Sequence, residues 1–138
     1  MFRLEQHDRQ QLYNKFMSEE PINHLVIDNF VDSGYLSNVL SEIKNIPVSV
    51  WDNLPAGINR EPDNIYFAKK TALSNFDVVG SYTREIFNAL NSTEFMKFLE
   101  DITGIKGLIA DPNYLGGRIH RIKTGGRLGI HCDFNIHP

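Results

Sequence analysis

The feature that most constrains this chain is a change in the period of its apolar residues after Gly104. Before it, apolar positions recur at spacings of three and four, as they do on helices buried along one stripe. Beyond it they alternate, as they do on strands with one buried face. Such a chain folds as helices and short strands first and a β-rich core afterwards. Phe2, Leu4, Leu12, Tyr13 and Phe16, scattered through polar residues 1 to 18, predict a peripheral helix. His24–Phe30 is short and β-branched and predicts a strand, with Asp32-Ser33-Gly34 behind it as a helix start. Leu36, Val39, Leu40, Ile43 and Ile46 form one helical stripe that Pro47 ends. Residues 47 to 63 hold Pro47, Pro55, Gly57 and Pro62 around Trp51 and read as a long irregular loop, of the kind that often carries function.

Ile65–Ala68 predicts a second strand, and Val78, Val79, Tyr82, Ile86, Phe87 and Leu90 a second amphipathic helix. Ser92 or Thr93 caps a third, in which Phe95, Phe98, Leu99 and Ile102 face the core and Gly104 supplies a left-handed C-terminal cap. After the change of period, Gly116–Ile122 and Arg127–Phe134 alternate on either side of Lys123-Thr124-Gly125-Gly126, which predicts a β-hairpin. The fold class that follows is α+β.

At 138 residues the chain is the size of one domain. An apolar share of 41% with 22% charged residues excludes a disordered chain. The net charge of −3 does not select nucleic acid or an anionic membrane as partner, but its distribution is uneven. Residues 118 to 138 hold Arg118, Arg121, Lys123 and Arg127 against Asp133 alone, together with three of the five histidines and the only cysteine, Cys132. Chemistry is therefore expected in the tail. A lone cysteine makes no intrachain disulfide, the N-terminus lacks the apolar core of a signal peptide, and no run approaches a membrane span, so the expected compartment is the cytoplasm.

His131 and Asp133 lie two apart on a predicted strand, which puts both side chains on one face with Cα atoms ~6.6 Å apart. An imidazole nitrogen and a carboxylate oxygen so placed are two ligands of the two-histidine, one-carboxylate triad that leaves open positions on iron(II). The spacing alone is weak evidence. A chain with five His and nine Asp shows about 0.3 such pairs by chance, and a strand-end histidine hydrogen-bonded to an aspartate explains the pair equally well.

The run Gly116-Gly117-Arg118-Ile119-His120-Arg121-Ile122-Lys123-Thr124-Gly125-Gly126-Arg127-Leu128-Gly129-Ile130-His131-Cys132-Asp133-Phe134-Asn135-Ile136-His137-Pro138 resembles the prolyl 4-hydroxylase-like branch of the iron(II)/2-oxoglutarate-dependent oxygenases. There a glycine-rich turn leads to a strand carrying His-x-Asp, and Asp-Phe-Asn-x-His-Pro is similar to the continuation in bacterial and viral members. The helix Phe95–Ile105 and the link Leu108–Pro112 resemble what precedes the motif. The match covers about residues 92 to 138; the rest fits in pattern only.

The resemblance implies a double-stranded β-helix, a cupin-like jelly roll, with supporting helices in residues 1 to 105 and the β core opening in 106 to 138. It implies His131 and Asp133 as ligands of iron(II), with 2-oxoglutarate and O2 as co-substrates, ascorbate as a candidate accessory reductant, and hydroxylation of a protein proline or a small molecule. Two departures stand out. The tyrosine that many prolyl hydroxylases place nine residues before the metal histidine is Ile122 here. The family's second metal histidine and its 2-oxoglutarate-binding Arg or Lys lie on later strands. The chain thus reads as the N-terminal portion of a catalytic domain, expected alone to bind metal weakly, to lack turnover and to self-associate through an exposed strand edge.

Other tail residues have plainer readings. His137 would need a sharp turn to reach the same metal and reads as a packing histidine. His120 reads as a core or surface histidine, and Cys132 as a small apolar residue on the face opposite the pair. Arg118, Arg121, Lys123 and Arg127 read as a solvated hairpin face, with attraction of an anion such as 2-oxoglutarate as the functional alternative. No interleaved aromatic residues stand ready to stack bases there, which argues against nucleic acid. Trp51 and Tyr66 read as core residues or, alternatively, as parts of a substrate lid. The competing view of the whole chain is a non-catalytic jelly-roll remnant that binds a partner through its open edge.

Overall fold

The computed structural model describes residues 1–53, 67–73, 75–114 and 117–130, which form two compact units. The first, Met1–Ile46 with Asp77–Tyr114, is helical; the second takes its described residues from Pro47–Phe76 and Leu115–Pro138 and is a sheet. The fold is α+β, with four α-helices and one antiparallel sheet among the described residues.

In the helical unit, helix starts are set by local acceptors. The Asp8 carboxylate accepts from the N–H groups of Gln10 and Gln11 and opens α1 (Arg9–Ser18). Asp32 accepts from the N–H of Tyr35 and opens α2 (Ser33–Asn45), which stops just before Ile46-Pro47. A short 3-10 turn, Phe76–Val78, precedes α3 (Ser81–Leu90). The Ser92 hydroxyl accepts from the N–H of Phe95 and opens α4 (Thr93–Thr103). Gly104, at φ 75, closes α4 in the left-handed conformation expected of it.

The core of this unit is Leu4, Phe98 and Ile102, with Phe2, Leu12, Leu25, Ile27, Phe30, Phe95 and Leu99 packed around them. The ring of Phe98 lies 5.7 Å from that of Phe30 and 6.2 Å from that of Phe95, centroid to centroid. All four apolar residues expected to face inward from α4 therefore do so. The stripe on α2 is only half used: Val39 and Ile46 are buried, whereas Leu36 and Leu40 are 40% and 47% exposed.

The strand expected over His24–Phe30 does not form. The segment is irregular and pairs with no strand among the described residues; the one sheet-like contact nearby is the bridge Phe2↔Val31 just beyond it. Asp28-Asn29 turn the chain, with Asn29 at φ 54, a conformation asparagine tolerates better than most residues. β propensity without a neighbouring strand to pair the backbone N–H and C=O groups does not make a strand.

In the sheet unit, β1 (Asp52–Asn53), β2 (Phe67–Leu73) and β3 (Ile119–Leu128) pair antiparallel in the order β1-β2-β3. The second strand thus starts two residues later than Ile65 and runs five beyond Ala68. The expected hairpin is a correction: Lys123-Thr124-Gly125-Gly126 do not reverse the chain. Lys70 pairs with Ile122 and Ala68 with Arg127, so a step of two residues on β2 faces a step of five on β3, and β3 carries a three-residue bulge. Gly125 sits at φ 74 and Lys69, opposite it, at φ 53. The Lys69 ammonium donates to the Thr124 carbonyl at 3.3 Å and ties the bulge down. Turn chemistry is present in these residues, but it makes a detour inside one strand.

Candidate functional site

β3 ends at Leu128, and Gly129-Ile130 lead from it to His131. His131, Cys132, Asp133 and His137 lie outside the described residues, as does Tyr66. Among the described residues no three His, Cys, Asp or Glu side chains come together as a metal-binding group.

The described part of the sheet unit has its own concentration of polar chemistry on one sheet face. Thr71 of β2 is the cross-strand partner of Arg121 of β3, which places both side chains on the same face. Trp51, immediately before β1, lies beneath Arg121, with the guanidinium carbon 4.3 Å from the indole centroid. At that distance the cation–π attraction contributes about 0.5–2 kcal/mol and fixes where the guanidinium sits. Trp51 is 5% exposed and Thr71 8%.

Three polar atoms of this trio, Trp51 Nε1, Thr71 Oγ1 and Arg121 Nε, are buried without a hydrogen-bond partner among the described residues. Two are obligatory donors and the third is a hydroxyl, so the face offers N–H and O–H groups and holds no acceptor in hydrogen-bonding position for them among the described residues. Arg121 is therefore no part of a uniformly solvated face, whereas Arg118, Lys123 and Arg127 are exposed. His120, opposite Ala72 in the ladder, is exposed as well. Sequence reasoning named Trp51 and Arg121 separately and missed Thr71 and their juxtaposition. The long separation between residues 51, 71 and 121 leaves no local pattern to find.

The helical unit contains a second polar cluster, with the opposite character. Gly80, the N-cap of α3, has no side chain to cap with. Glu42 of α2 serves instead: its carboxylate accepts from Tyr82 N–H at 3.1 Å, Thr83 N–H at 2.8 Å and the Thr83 hydroxyl at 2.7 Å. A Cβ on Gly80 would lie 2.2 Å from the Glu42 carboxyl, so only glycine admits the cap. Burial pushes the Glu42 carboxyl up, but the Thr83 and Tyr82 hydrogen bonds outweigh it and hold the group below its ordinary value. Tyr35 bridges the same helices, its hydroxyl 2.9 Å from the Tyr82 carbonyl and 3.0 Å from a Glu85 carboxylate oxygen. Burial, followed by the hydrogen bond and charge of Glu85, pushes its phenol up to about 12. At neutral pH it is a locked donor, and the cluster braces α2 against α3.

Comparison of the chain with family models, with curated proteins and with solved structures finds no match. No helix among the described residues is long and apolar enough to cross a membrane.

Proposed function

We propose that the chain carries the iron-binding strand of an iron(II)- and 2-oxoglutarate-dependent dioxygenase that hydroxylates a protein proline or a small molecule in the cytoplasm. The observation that carries the reading is the Gly116–Pro138 run, in which His131-x-Asp133 follows a glycine-rich strand and continues as Phe-Asn-x-His-Pro. The antiparallel sheet and the helices preceding it agree with a helix-supported jelly roll. His131 and Asp133 supply an imidazole nitrogen and a carboxylate, a donor pair suited to iron(II), and are two of the three ligands such a centre requires. Bound iron would supply O2 activation. One oxygen atom would enter the substrate C–H bond, while 2-oxoglutarate takes the other and leaves as succinate and CO2, with ascorbate to restore ferrous iron after uncoupled turnover.

The test is anaerobic titration of the chain with iron(II) in the presence of 2-oxoglutarate, followed by succinate analysis after admission of air. Weak binding that Asp133→Asn and His131→Ala each abolish, with circular dichroism unchanged, is the expected result. Iron binding that survives both substitutions removes the assignment. The exposed apolar side chains on and just after β3, Ile122, Leu128 and Ile130, favour a second reading: a binding module that self-associates or takes up a partner through this strand. That reading gains if both variants match wild type in iron binding while the chain sediments as a dimer.

A further inference from the structure

Four buried side-chain polar atoms lack partners among the described residues, and three of them belong to one face of one small sheet. A buried donor without an acceptor loses its hydration with nothing in return, so such a group is rarely left alone without a use. Here three side chains from distant points of the sequence converge. The Arg121 guanidinium is clamped over the Trp51 ring, the Thr71 hydroxyl stands across the ladder from it, and the indole N–H belongs to the ring beneath.

We infer that Trp51, Thr71 and Arg121 form a carboxylate-binding site, in which Arg121 Nε, Trp51 Nε1 and Thr71 Oγ1 donate to the oxygens of one bound carboxylate. The chemistry selects this ligand class. The trio presents donors, one of them on a permanent cation, and has no anionic group of its own that would repel an anion. A carboxylate provides about four lone-pair positions on two oxygens, enough for three donors, and charge-assisted bonds to it are the stronger kind. A water molecule satisfies two of the donors at best and leaves the guanidinium charge unanswered.

The inference does not depend on the iron site, and its test uses neither metal nor turnover. Trp51 is the only tryptophan of the chain, so emission excited beyond the absorption of the five tyrosines reports on this site alone. The metal-free 138-residue chain is titrated with 2-oxoglutarate and, separately, with acetate, at constant ionic strength and with sodium chloride as the control. A saturable change in emission that the dimethyl ester of 2-oxoglutarate does not produce is expected. Tighter binding of 2-oxoglutarate than of acetate assigns the site to a dicarboxylate co-substrate. Equal affinity assigns it to a lone carboxylate on the hydroxylation substrate or on another ligand.

Arg121→Gln should weaken binding by at least about tenfold, and Thr71→Val, which keeps the side-chain shape, by about three- to tenfold. If Arg121→Gln fails to fold, Thr71→Val alone carries the test. An emission change that sodium chloride reproduces, or that survives in Thr71→Val with unchanged affinity, overturns the inference, as does the absence of any change.

Discussion

In the helical unit the start of each α-helix finds its acceptor. Asp8, Asp32 and Ser92 serve their own helices, and Glu42 serves α3 from a neighbouring one. In the sheet unit a shorter stretch of described chain leaves Trp51 Nε1, Thr71 Oγ1 and Arg121 Nε buried and unanswered, against one such atom, His7 Nε2, in the helical unit. The first arrangement is what stability alone selects: among the described residues, buried side-chain polar atoms other than His7 Nε2 have partners, so a ligand has little to add. The second tolerates a cost that stability alone does not explain. Polar groups that hold the molecule together and polar groups that await something else are thus told apart by whether the protein supplies their partners.

That contrast can be broken at its strong end first. Phe98 is 1% exposed at the centre of the helical core, and Phe98→Ala should cost about 3–5 kcal/mol in urea unfolding. A loss under about 1 kcal/mol would mean that this core is looser than its packing implies.

The cap by Glu42 comes next. Glu42→Ala leaves the buried Thr83 amide and hydroxyl without an acceptor and should cost about 1.5–3 kcal/mol. The same carboxyl carries a pH signature. Its folded pKa lies below the ordinary 4.5, so its contribution is complete above pH 4.5 and fades as pH falls through the folded value. Asp32 is held down by the Tyr35 amide and then by Arg3, and Asp101 by Arg9 in a 2.7 Å bond and then by Lys97; both act in the same direction below their ordinary 3.8. Tyr35 has the reverse sign: its raised pKa stabilises below pH 10 and is lost as pH climbs toward 12. Acid titrations of wild type and Glu42→Ala, compared by thermal melting, should show a shallower acid slope in the variant.

The smallest effect is the sharpest discriminator. With no carboxylate ligand added, Thr71→Val removes a buried hydroxyl that has no partner, so it should leave stability unchanged or raise it by up to about 1 kcal/mol. A loss above about 1 kcal/mol would show that Thr71 Oγ1 is paired after all and would erase the difference between the two units.

How much of this was legible in the sequence follows from how local each cause is. Asp32 and Ser92 cap helices from a few residues away, and Gly104 ends α4 by its own left-handed φ, so α2 and α4 were readable to within a residue or two. The start of α3 was not, because its cap is a glycine and the working acceptor, Glu42, lies forty residues upstream. His24–Phe30 had the composition of a strand and lacked only a neighbour, which composition does not encode. Lys123–Gly126 had the composition of a turn, but whether such residues reverse a chain or bulge within it depends on what lies opposite, here Lys69 and its β2 neighbours. The trio Trp51, Thr71 and Arg121 is assembled wholly by strand register and was invisible for the same reason, whereas the proposed pair His131 and Asp133 was conspicuous because its spacing is two.

The bulge in β3 also bears on how this segment tolerates change over generations. Side chains on a strand alternate with period two, yet the detour adds three residues, an odd number, and the ladder resumes beyond it with Arg127 opposite Ala68. Which face each downstream side chain takes is therefore fixed by the pairing on either side of the detour and not by the number of residues within it. Relatives of this chain are expected to differ in length between Lys123 and Gly126 by odd and even numbers alike, since the detour takes up the difference without altering the register of the sequence that follows.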